Sequence, residues 1–84
     1  MTFSVLVEKK AGKQIKKLAP DVERRILGVL GELQKGFSAR LDIKKLKGTT
    51  NHYRIRVGDY RILFALVPNT EYVYDVSHRE SAYE

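Results

Sequence analysis

His52-Tyr-Arg-Ile-Arg-Val-Gly-Asp-Tyr-Arg-Ile-Leu-Phe-Ala-Leu66 reads as two alternating runs joined by Gly58-Asp59. Glycine followed by any residue signals a two-residue hairpin turn of type II′, because glycine supplies the positive φ that matches the right-handed twist of the strands. With those residues as the turn, Val57 faces Tyr60, Arg56 faces Arg61, Ile55 faces Ile62 and Arg54 faces Leu63. One face then carries Tyr53, Ile55, Val57, Tyr60, Ile62 and Phe64, and the other carries Arg54, Arg56 and Arg61. Two arginines directly across an antiparallel pair repel each other. Such a face is expected to meet something negative.

On the N-terminal side, Thr2 to Glu8 alternates and suits an opening strand. From Lys9 to Ala19 the apolar residues Ala11, Ile15 and Leu18 fall on one helical stripe, and Lys9, Lys10, Lys13, Lys16 and Lys17 occupy the remaining surface. Pro20 ends that helix and starts a second, with Asp21 and Glu23 complementing the positive end of its dipole. Val22, Ile26, Val29, Leu30 and Leu33 form its buried stripe to about Gln34, and Gly36 closes it. Gly28 and Gly31 weaken a helix and are read as points where it approaches its neighbour closely. Between Phe37 and Asn51 the anchors Leu41, Ile43 and Leu46 alternate with lysines in a pattern that suits a helical turn and a short strand equally. After the hairpin, a Pro68-Asn-Thr70 turn leads into a last strand, Glu71 to Ser77.

The order β-α-α-β-β-β predicts an α+β fold in a single domain, residues 1–84, with two N-terminal helices on one face of a mostly antiparallel four-stranded sheet. With 16 Lys and Arg against 10 Asp and Glu, the chain is expected to meet nucleic acid or an acidic partner. Cysteine is absent, so a disulfide or thiolate metal site is excluded. His52 and His78 lie far apart without an acidic cluster, so no metal or cofactor is expected. No glycine-rich phosphate loop precedes a helix, and the serines lack a base with an orienting acid. Without a long apolar run or a signal peptide, no membrane contact is expected and a cytoplasmic location is.

Four segments in this order, Lys45-Leu-Lys-Gly48, Tyr53-Arg-Ile-Arg-Val57, Gly58-Asp-Tyr-Arg-Ile62 and His78-Arg-Glu-Ser-Ala-Tyr83, resemble the RelE/ParE superfamily of toxins, in its RelE-like branch of mRNA interferases. The resemblance spans nearly the whole chain. It implies a toxin that cleaves mRNA in the ribosomal A site by metal-independent transesterification, the ribose 2′-OH attacking the adjacent phosphate. Carried over by position, Arg54 and Arg56 match two basic strand residues, Arg61 a phosphate-clamping arginine, Arg79 a C-terminal arginine and Tyr83 a base-stacking tyrosine. Lys45 and Lys47 belong to the basic rim that would contact RNA. The resemblance also implies a cognate antitoxin that covers the basic surface, in a heterotetramer or larger complex.

This chain departs from the pattern at the proton acceptor. The position of Arg56 holds a lysine base in the best-known version, and arginine keeps its proton at physiological pH. Two readings stay open: the site works by electrostatic stabilisation, or His78 takes the proton. Plainer roles stand beside the sharper ones. The lysines of the first helix read as an exposed face able to meet RNA phosphates, Tyr72 and Tyr74 as packing residues, His52 as a surface or turn residue beside a strand start, and Asp75 and Glu80 as counter-charges to arginines. Two other functions share this fold or charge: a ParE-like toxin that binds DNA gyrase, and a non-catalytic RNA-binding module or inactivated toxin.

Overall fold

The computed structural model describes residues 3–78. Its elements are β1 (Ser4–Val7), α1 (Lys9–Lys16), α2 (Pro20–Leu33), β2 (Asp42–Lys45), β3 (His52–Val57), β4 (Tyr60–Leu66) and β5 (Thr70–His78). The sheet has five strands in the order β1-β5-β4-β3-β2, with β1 parallel to β5 and every other pair antiparallel. The expected four-stranded sheet therefore gains a strand. The segment whose pattern suited helix and strand equally is drawn into β2 because the free edge of β3 offers it backbone partners from Asp42 to Lys45.

The hairpin register is as the turn requires: Val57 faces Tyr60, Arg56 faces Arg61, Ile55 faces Ile62 and Arg54 faces Leu63. Gly58 has φ +59° and, among the described residues, no residue other than glycine has positive φ, which fits a II′ turn with Asp59 in its second position. Ile55, Val57, Ile62, Phe64, Val73 and Val76 meet Ala11 and Ile15 of α1 and Ile26, Leu30 and Leu33 of α2 in the core. Both helices thus take the face opposite the arginines. Phe37 closes one end of this core, its ring edge-on to Tyr53 at 5.1 Å and to Phe64 at 5.8 Å.

Pro20 at the first turn, with Asp21 and Glu23 beside it, starts α2 as expected, and Gly36 follows its end at φ 114°. Gly28 and Gly31 correct an expectation. Both are exposed, and a Cβ on either would meet nothing within 4 Å, so they mark no close approach.

β1 ends at Val7, opposite Val73, and beyond that point no strand of the described residues pairs with the outer edge of β5. Gln14 of α1 fills the gap: its Oε1 accepts the Val76 N–H at 2.8 Å and its Nε2 donates to Asp75 Oδ1 at 3.1 Å. Lys10 adds an ion pair to the same carboxylate at 3.3 Å. Among the described residues, Asp75 therefore answers α1 and not the arginines.

Candidate nucleic-acid interface

Across the face opposite α1 and α2, the strand registers line up rows of side chains. One row runs Ser77, Arg61, Arg56, Asp42 from β5 to β2, and the next runs Asp75, Leu63, Arg54, Lys44. Opposed residues on neighbouring strands hold their Cβ atoms about 4.5–5.5 Å apart. Arg56 is therefore flanked by Arg61 on one side and Asp42 on the other.

The three arginines have different surroundings. Arg56 is exposed and Arg61 half-buried, whereas Arg54 is only 9% exposed. Arg54 Nη1 reaches the Asp42 backbone oxygen at 3.3 Å and its carboxylate Oδ1 at 3.4 Å, so this guanidinium lies across β2. The Asp42 side chain is itself 55% exposed. Arg54 stiffens the basic face, and Arg56 and Arg61 present charge from its centre.

Lys45 pairs with Tyr53 and so belongs to the helix-bearing side, whereas Lys44, opposite Arg54, stands on the arginine side. The basic rim is formed there by Lys44, which the sequence reading did not single out. Lys47 is exposed in the turn after β2, where Thr49 Oγ1 donates to the Leu46 carbonyl at 2.8 Å. His78 pairs with Tyr60, which packs against the core, and its ring lies edge-on to the Tyr60 ring at 5.2 Å. The structure thus puts His78 on the side away from Arg56 and Arg61. A bulge is the cause: between Leu63 and Phe64 the partners jump from Asp75 to Val73, and the extra residue reverses the alternation of β5 beyond it. Arg79 and Tyr83 lie outside the described residues.

His52 shares the arginine side, opposite Ala65, and its Nδ1 is hydrogen-bonded to the Tyr74 hydroxyl at 2.8 Å. Burial, and then the charge of Asp75, push the Tyr74 hydroxyl above the usual tyrosine range. Tyr72 donates to Glu8 Oε2 at 3.3 Å, and the Glu8 charge raises its pKa. Both tyrosines are tied into the fold, in keeping with a packing role. On α1, Lys9, Lys10, Lys13 and Lys17 line an open groove with Gln14, next to the edge of β5.

The sequence reading passed over Glu71. It pairs with Val5 and Leu66, is 0% exposed, and neither carboxyl oxygen has a hydrogen-bond partner among the described residues. Burial pushes its pKa from the ordinary 4.5 up to about 7.

A five-stranded sheet with both helices on one face and arginines across the other defines the RelE-like class of fold. Residues 5–83 match the sequence model of the ParE toxin of type II toxin-antitoxin systems, and the chain belongs to this toxin family. It is 40% identical over 85 residues to Toxin RelE3 of Methanocaldococcus jannaschii, covering 98% of this chain and 97% of that protein. Among solved structures, it is similar to the toxin of a RelB-RelE antitoxin-toxin complex from Methanococcus jannaschii, at TM-score 0.82 and 38% identity over 94% of this chain and 95% of that one. The archaeal RelE-RelB complex from Pyrococcus horikoshii OT3 gives TM-score 0.83 and 27% identity, over 98% and 100% of the two chains.

Proposed function

We propose that this toxin is a ribosome-dependent endoribonuclease that cuts mRNA in the A site by attack of a ribose 2′-OH on the adjacent phosphate. The observation that carries this reading is the pairing of Arg56 with Arg61 across the hairpin, on the face opposite α1 and α2. Two arginines rooted at directly opposed strand positions can bring their guanidiniums to two oxygens of one phosphate, and they gain most as charge builds on it in the transition state. Arg54, braced against Asp42, keeps the neighbouring strand charged and rigid. Tyr83 stacks on the splayed base and Arg79 adds charge near the phosphate, by resemblance. His78 is left out of proton transfer because it pairs with Tyr60 on the other side of the sheet.

A cognate antitoxin is the partner. The similar toxins from Methanococcus jannaschii and Pyrococcus horikoshii are in complexes with RelB, and this chain's net charge of +6 suits an acidic segment that folds on binding. The family also contains ParE toxins, for which gyrase is the target to be tested against. Primer extension on mRNA from translating ribosomes separates the two. Cuts inside A-site codons that vanish with Arg61→Ala support the nuclease. Inhibition of gyrase supercoiling without such cuts rejects it.

A further inference from the structure

The nuclease reading, on which this inference rests, requires an acceptor for the 2′ proton. A guanidinium offers donors and no acceptor, so neither Arg56 nor Arg61 takes this proton, and His78 pairs with Tyr60 on the opposite side of the sheet. His52 shares the arginine side but lies four residues from Arg56 along β3, about 13 Å at strand spacing, with its Nδ1 engaged by Tyr74. Asp75 is held by Lys10, Gln14 and Ser77. Asp42, by contrast, stands directly across from Arg56, in the row that contains Arg61. Arg54 engages its Oδ1 at 3.4 Å and fixes the carboxylate's orientation, while 55% exposure of the side chain keeps it accessible from solvent.

We propose that Asp42 is the general base of this toxin, taking the 2′ proton from a nucleotide whose phosphate is held by Arg56 and Arg61. The 2′-O–H bond breaks as its proton passes to the Asp42 carboxylate. The 2′-oxygen forms a bond to phosphorus, and the P–O5′ bond breaks. The 5′-oxygen leaves with the bonding pair and takes a proton from water. The products are a 2′,3′-cyclic phosphate and a free 5′-hydroxyl. Arg54 has a positioning role, acting through Asp42. The arrangement also accounts for a site that functions with arginine at position 56: proton transfer moves to the adjacent strand, and Arg56 serves the phosphate alone.

The test is single-turnover cleavage of mRNA on programmed ribosomes by the parent, Asp42→Asn, Asp42→Glu and Asp42→Ala. Asn keeps an oxygen for Arg54 and removes the base. A general base contributes about 10²–10⁴-fold, so Asp42→Asn is expected to cut at least about 100-fold more slowly. Its affinity for ribosomes carrying a 2′-deoxynucleotide at the scissile position, which cannot be cut, is expected to match the parent's or exceed it. Asp42→Glu is expected to recover part of the rate, and thermal melts confirm that each variant is folded. If Asp42→Asn cuts like the parent while Asp42→Ala is impaired, Asp42 only positions Arg54 and the proposal falls. If the loss appears in binding and not in rate, it falls as well. If the parent itself does not cut, the nuclease reading falls and takes the base with it.

Discussion

Raising the pH from 4 to 8.5 is expected to destabilise this protein through one residue, Glu71. Its carboxyl is 0% exposed and neither oxygen has a partner among the described residues, so the folded chain favours the neutral acid. The pKa rises on folding from 4.5 to about 7, and stability from this group is complete below pH 4.5 and lost as pH climbs through 7. At about 1.36 kcal/mol per pH unit, the whole loss is about 3 kcal/mol. For a domain of this size each kcal/mol moves the melting temperature by roughly 4–8 °C. Glu71→Gln keeps the shape and cannot ionise. The assay is thermal unfolding of parent and variant across this pH range, where the difference between the two curves cancels every other titrating group. Near pH 4 the two proteins are expected to melt close together. At pH 8.5 the variant is expected to melt more than about 10 °C higher. A difference between the curves that is constant with pH would refute the reasoning, because it would mean that the buried carboxyl does not change protonation on folding.

Gly28→Ala and Gly31→Ala should each stabilise α2 by up to about 1 kcal/mol in urea unfolding, since an added Cβ meets nothing at either position. Gly58→Ala should cost about 1–2 kcal/mol or more in the same assay, because φ is +59° and the new Cβ would lie 3.3 Å from Arg25 Nη1. Gln14→Leu should cost about 1–3 kcal/mol by leaving the buried-edge Val76 N–H without its acceptor, and hydrogen exchange at Val76 should quicken. Arg56→Ala should lower single-turnover mRNA cleavage by at least about 10²-fold with little change in stability, since its side chain is exposed.

The hairpin was legible because a two-residue turn leaves no freedom of register. Once Gly58-Asp59 is taken as the turn, Arg56 must oppose Arg61. The helices were legible for a similar local reason: Ala11 and Ile15, then Ile26, Leu30 and Leu33, repeat at helical spacing, and Pro20 separates the two sets. Membership of the RelE/ParE toxins followed from four motifs spread from Lys45 to Tyr83, and the family match over residues 5–83 agrees with it.

What the sequence determined by itself were those local periodicities and the turn that brings the arginines together. Tertiary structure alone decided the second partner of Arg56, Asp42 on β2, and the side taken by His78. Asp42-Ile-Lys-Lys45 is too short for its alternation to choose between strand and helix, and only the free edge of β3 sets Asp42 opposite Arg56 and Lys44, instead of Lys45, on the basic side. Simple alternation along β5 would keep His78 in phase with Tyr72, on the arginine side. The extra residue between the partners of Leu63 and Phe64 inverts that phase, turning Val76 into the core and His78 toward Tyr60. A bulge belongs to a pair of strands and not to either one, so a single strand's pattern cannot reveal it.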